Sequence, residues 1–142
     1  MATSAIGLID RLVIHHSASP LITSFEDIVA WHTKPKPEGR GWPFIGYHWV
    51  ILADGSMRVG RPMNVRGAHA PPNRGRLGVC LVGNNVQDGE GWTIEQIGAL
   101  RRHIDAVRLL IPDVVVSGHR DVMPAGHTVC PGLDVRSLLL EG

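Results

Sequence analysis

Lysine is scarce in this chain. Two lysines stand against twelve arginines, and the formal net charge over 142 residues is +1. Binding nucleic acid through bulk electrostatics needs a basic excess to displace counterions, so no nucleic-acid partner is expected. Cysteine is almost absent. Cys80 and Cys130 are the only two, which excludes a disulfide framework. Tyrosine occurs once and phenylalanine twice. No apolar run approaches the roughly 20 residues that span a bilayer, so no membrane insertion is expected. The opening MATSAIGLIDRLVIHH lacks a basic segment ahead of an apolar one, and synthesis in the cytoplasm without a cleaved signal peptide is the expectation. There is no internal repeat and no low-complexity tract.

Histidine, glycine and proline are abundant. Eight histidines are present, the residue most used as metal ligand and as acid–base group near neutrality. Glycine and proline together supply 27 residues, so many turns and long ordered loops are expected. The composition, 44% hydrophobic and 19% charged, is that of one globular domain over residues 1–142.

Leu12–His15 reads as a short buried strand. Ser24 can cap a helix over Phe25–His32, with Phe25, Ile28, Val29 and Trp31 as its apolar residues. Gly46–Leu52 and Met57–Gly60 read as strands joined at Ala53-Asp54-Gly55-Ser56, a hairpin signal. Arg61–Arg76 is aperiodic and too long for an idle connector. Leu77–Val82 is a continuous apolar run, as in a central strand. From Thr93 to about Ile111, residues Ile94, Ile97, Leu100, Ile104, Val107 and Ile111 recur at helical spacing. Thr93 with Gln96 forms a capping box, and Pro112 ends the helix. Val114–Val116 is a further strand and Asp134–Leu140 a closing helix. The order β-α-β-β-β-α-β-α predicts an α/β domain, a mixed central sheet flanked by helices.

Three strand ends and loops carry the chemistry. His15 and His16 end the first strand, His119 ends the last, and Cys130 follows eleven residues later in TVCPG. If the first and last strands are neighbours, one histidine from each and the loop cysteine can converge. Two His and one Cys can hold Zn²⁺ and leave a fourth position open, the mark of a catalytic site. Neighbouring residues on a strand face opposite ways, so only one of His15 and His16 should reach the ion. A Cys80–Cys130 disulfide is the rival arrangement, and it would remove a ligand. Cys80 otherwise reads as a buried small apolar residue. His48 should be structural, and His32 and His103 read as surface or boundary residues.

Seven segments resemble, in order, the type 2 N-acetylmuramoyl-L-alanine amidases, the family of the T7-like phage amidase lysozymes and the peptidoglycan recognition proteins. They are VIHHSAS (13–19), GYHWVIL (46–52), DGSMRVGRP (54–62), GAHAPPN (67–73), LGVCLVGNN (77–85), GHRDV (118–122) and CPGLDV (130–135). The resemblance implies zinc ligands at His15, His119 and Cys130, with His16 in support, and a catalytic tyrosine at Tyr47. Phage members often have a lysine two residues before the cysteine; this chain has Thr128, which can donate to an oxyanion but brings no charge. His127 is the adjacent candidate for a cation or proton. The loop between His119 and Cys130 is longer than in compact members. His69 and Asn73, in the groove loop, are implied substrate contacts. Arg66 is one of five arginines around that loop (with Arg58, Arg61, Arg74 and Arg76) suited to stem-peptide carboxylates. Trp42 and Phe44 can pack under sugar or peptide.

The activity so implied is zinc-dependent hydrolysis of the amide between N-acetylmuramic acid and L-alanine in bacterial peptidoglycan. The expected setting is a monomeric phage or prophage endolysin, made in the host cytoplasm and acting on the wall after release. A cytosolic wall-recycling amidase and a non-catalytic peptidoglycan-binding module are the alternatives.

Overall fold

A computed structural model describes residues 8–84 and 91–140. Asn85 of the LGVCLVGNN segment and the first seven residues lie outside the described residues. Among the described residues, five strands and three helices follow in the order β1 (Arg11–His16), α1 (Phe25–Thr33), β2 (Trp49–Ile51), β3 (Met57–Val59), β4 (Arg76–Leu81), α2 (Ile94–Leu110), β5 (Val115–Gly118) and α3 (Val135–Leu140). A 3-10 turn, His119–Val122, continues directly from β5. The strands form one sheet in the order β3-β2-β4-β1-β5. Only the β2–β3 hairpin is antiparallel; β2–β4, β4–β1 and β1–β5 are parallel. The element order and the mixed sheet are as the sequence predicts.

Parallel strands buried on both faces read as unbroken apolar runs, because neither alternating set of side chains meets water. Leu77–Leu81 is such a run. Leu77, Val79 and Leu81 join Leu12, Ile14 and Ile51 under Leu100, Ile104 and Val107 of α2 and Leu138 of α3. Cys80, on the opposite face, joins Val50, Val82, Ile45, Phe25 and Ile28, beneath α1. The register pairs His15 with Cys80. His15 therefore emerges on the α1 face. His16 takes the other side, its ring 6.5 Å from that of Trp92.

Both predicted caps form. Ser24 accepts from the Asp27 N–H and Thr93 from the Gln96 N–H, each with the reciprocal bond of a capping box. Two apolar residues depart from expectation. Ile94 is exposed, and so is Trp31. In the first turn of α2 the inward position belongs to Gln96, fully buried, whose amide donates to the Val82 carbonyl at 2.8 Å. A buried amide is stable there because it satisfies a carbonyl just past the end of the central strand, β4. The strand predicted over Gly46–Leu52 is shorter, Trp49–Ile51. Tyr47 lies in the bend ahead of it, where its carbonyl accepts from the Arg61 N–H at 2.9 Å.

Candidate active site

The carboxyl ends of parallel strands are where α/β folds place ligands. Here the adjacency of β1 and β5 brings His15 and His119 together, with ring centroids 4.6 Å apart. The loop after the 3-10 turn delivers Cys130. It is tied back by a bond from the Arg120 N–H to the Cys130 carbonyl, 2.8 Å, and by the His16 N–H donating to the Cys130 sulfur at 3.3 Å. Ligand atoms of His15, His119 and Cys130 all lie within 4.8 Å of one another, the only such His/Cys/Asp/Glu group among the described residues. His15 Nδ1 is 3.8 Å from Cys130 Sγ. Two donors on a tetrahedral ion, with bonds of about 2.0 and 2.3 Å, would stand roughly 3.5 Å apart.

The electrostatics fit a cation. His15 is 2% exposed. Burial, then the neighbouring His69, His119 and His16, hold it well below the usual histidine range, so it is neutral and able to ligate. Burial also lowers His119. His119 Nε2 is buried with no hydrogen-bond partner among the described residues. Burial pushes the Cys130 thiol up to about 12, although the His16 N–H favours the thiolate. A thiolate in that position requires a cation beside it. Both cysteines are free, so the disulfide rival does not form.

The trio floors a cleft of about 350 Å³ whose wall includes His16, His32, Arg40, Trp42, Tyr47, His69 and Asn73. The Tyr47 ring lies 5.1 Å from that of His15. Its hydroxyl contacts the Cys80 thiol, and burial pushes its ionisation well above the usual range, so it remains a proton donor. The Arg40 guanidinium lies over Trp42, 5.1 Å from the ring centre.

The structure brings six of the nine residues singled out from the sequence to this cleft: His15, His119, Cys130, Tyr47, His69 and Asn73. Both ring nitrogens of His69 are engaged within the protein, and Asn73 Oδ1 accepts from the N–H groups of His69 and Ala70. Thr128, His127 and Arg66 are not on the cleft wall. The Thr128 hydroxyl accepts from the Cys130 N–H at 3.2 Å and so braces the ligand loop. His127 and Arg66 are exposed. Arg66 offers its carbonyl to the buried Arg61, whose guanidinium also binds the Ile45 carbonyl.

Residues 6–133 match the N-acetylmuramoyl-L-alanine amidase family model. The chain belongs to that family. The endolysin of Enterobacteria phage K11 is 30% identical over 138 residues, 93% of this chain and 86% of that protein. Peptidoglycan-recognition protein SC2 of Drosophila melanogaster is 33% identical over 144 residues, 94% of this chain and 73% of that protein. Among solved structures, the endolysin N-acetylmuramoyl-L-alanine amidase LysCS of Clostridium intestinale URNW superposes with a TM-score of 0.83. It is 27% identical, with 99% of this chain and 88% of that chain covered.

Three features of this amidase-family chain escaped sequence reasoning. His32 is half-buried, as a boundary residue should be, but it also lines the cleft, where its Nδ1 accepts from the Gly46 N–H and burial lowers it to about 4. Its position at the end of α1, just before a Pro/Gly-rich loop, was the available signal. Arg40 was passed over because it stands in that loop, away from the arginines of residues 58–76. His103, also read as surface or boundary, is 9% exposed against Trp49. His48 is structural, as expected: its Nε2 donates to the Val65 carbonyl and its Nδ1 accepts from the Gly78 N–H.

Proposed function

We propose that the protein is a zinc-dependent N-acetylmuramoyl-L-alanine amidase of bacterial peptidoglycan, acting as an endolysin. The convergence of His15, His119 and Cys130 at the floor of an open cleft carries this reading. Two imidazoles and a thiolate form a borderline-soft set that suits Zn²⁺ and leaves room for a further ligand. Bound there, the ion would supply Lewis-acid polarisation of the scissile carbonyl and an activated water at neutral pH.

The remaining work falls to side chains of this chain. Tyr47, held protonated, donates a hydrogen bond to the oxygen that becomes negative as the amide carbonyl turns tetrahedral. Thr128 keeps Cys130 in place through its backbone N–H. Arg40, the arginine on the cleft wall, offers a cation to carboxylates of the stem peptide, while Trp42 beneath it provides a flat apolar surface. The resemblance to phage endolysins over nearly the whole chain supports action on the wall after release. Among the described residues no helix is long and apolar enough to cross a membrane.

The test joins two readings on one sample: zinc per chain by elemental analysis, and the ends released from purified peptidoglycan. About one zinc with new L-alanine amino termini and no new reducing ends is the expected result. New reducing ends would identify a glycosidase. Zinc without cleavage of any stem-peptide chemotype would favour a binding module.

A further inference from the structure

His69 sits between two partners whose chemistry fixes its ring. Its Nε2 lies 3.0 Å from the Arg76 carbonyl oxygen and its Nδ1 lies 2.8 Å from His15 Nε2. A carbonyl oxygen can only accept, so Nε2 of His69 carries the proton. In a neutral ring Nδ1 then has no proton and can only accept. His15 Nε2 must therefore be the donor. A neutral His15 that donates through Nε2 presents an unprotonated Nδ1, and that is the atom facing Cys130 Sγ. His15 is 2% exposed, and the His69 ring meets it edge-on with centroids 4.9 Å apart.

The surroundings are shaped to hold this ring. A Cβ on Gly78 of β4 would lie 2.8 Å from its Cγ and Nδ1, and a Cβ on Gly67 would lie 2.6 Å from its Cδ2. Only glycine leaves room at these two positions. The backbone N–H of His69 is tied to Asn73 Oδ1, and Arg76 holds the carbonyls of Ala70 and Pro71 through Nη1. The loop that carries the ring is thus fastened to the strand whose carbonyl anchors it. With both nitrogens occupied, His69 has no polar ring atom left for a substrate.

We infer that His69 is a positioning residue for the metal site: it sets the tautomer and orientation of His15 so that His15 Nδ1 is the ligating atom. This rests on the metal reading above and adds to it a residue acting through a ligand. Partners of ligating histidines raise ligand basicity and fix ring orientation, and their loss costs about 10–100-fold in metal affinity.

Two substitutions separate the two ends of the ring. In His69→Asn, Oδ1 stands where Nδ1 was and can still accept from His15. In His69→Gln, Nε2 stands where the ring Nε2 was and can still donate to Arg76, but nothing faces His15. Zn²⁺ affinity is measured by chelator competition for the wild type and both variants, with Co²⁺ absorption reporting ligand geometry. The expected result is near-wild-type affinity and spectrum for His69→Asn, and a loss of about 10–100-fold with an altered spectrum for His69→Gln. Equal behaviour of the two variants would overturn the inference, because a merely space-filling role does not distinguish the two ends. Nitrogen-15 spectra of the metal-free wild type give the tautomers directly, and they decide the matter should a variant not fold. Protons on Nε2 of both His15 and His69 support the relay, and a proton on His15 Nδ1 overturns it. Failure of the wild type to bind Zn²⁺ would instead refute the metal reading while leaving the tautomers readable.

Discussion

His119 and His103 each keep a buried Nε2 without a hydrogen-bond partner among the described residues, and they mean different things. His103 lies on α2 with its ring 4.2 Å from Trp49, inside the core. His119 lies at the carboxyl end of β5, where its ligand atom meets those of His15 and Cys130. An unpartnered buried nitrogen costs free energy in either place. At His103 that cost falls within a well-filled apolar face. At His119 two further potential ligand atoms, on His15 and Cys130, converge on the same point, and a cation bound among them would satisfy the nitrogen. Burial and a lowered pKa thus do not by themselves mark a site; convergence does.

The comparison can be broken most severely at the cysteine. Cys130→Ser should lose more than about 100-fold in zinc affinity, beyond the loss of an outer-shell partner, and amidase activity should fall to background. Zinc per chain and released amino termini measure both. Retention of full zinc and full activity would separate the trio from the chemistry. Tyr47→Phe should keep its zinc and lose about 10²–10³-fold in kcat, the effect of removing one oxyanion donor. Loss of zinc in that variant would show that Tyr47 holds the site together instead.

The other histidine sharpens the contrast through pH. Burial brings His103 to about 4, below the roughly 6.5 of an unfolded chain. The unfolded state therefore takes up this proton first. Stability from the neutral ring is complete above about pH 6.5 and is lost as the pH falls toward 4. His103→Leu should remove about 3 kcal/mol of that acid-side loss, read from denaturant unfolding across the window. An unchanged pH slope would refute the assignment. The smallest effects belong to the residues that stand off the cleft. Thr128→Ala should cost about 1 kcal/mol through the lost bond to the Cys130 N–H. Arg66→Ala should leave stability within about 0.5 kcal/mol and activity unchanged, since its carbonyl makes the contact with Arg61. A sharp rise in KM would restore Arg66 as a substrate contact.

Local order was legible wherever one interaction range governs it. The α2 periodicity, both capping boxes and the apolar run of β4 follow from neighbours within a few residues, and the structure agrees. Gln96 keeps its capping role and also takes the inward position expected of Ile94, because the carbonyls of Val82 and Ile51, remote in sequence, are what the glutamine amide reaches. Tyr47 could be singled out by its GYH setting, but its placement in a bend ahead of β2 depends on Gly60 and Arg61 across the hairpin. Thr128, His127 and Arg66 could be named and not placed, since nothing local shows which way a loop residue turns. His69 was visible as a groove histidine, whereas its bond to His15 spans 54 positions.

By itself the sequence determined the order of elements, the donor types available for a metal and, through its ordered motifs, the family. Those properties are written in residue identity and short-range pattern. The tertiary structure decided which donors meet. Parallel pairing of β1 with β5 brings positions 15 and 119 side by side, and the alternation of side chains along β1 turns His15 toward the α1 face and His16 toward Trp92, at the edge of the cleft. His69, anchored on the Arg76 carbonyl of β4, then selects the nitrogen of His15 that faces the site. Spatial convergence is a property of strand order, and no single segment of the chain contains it.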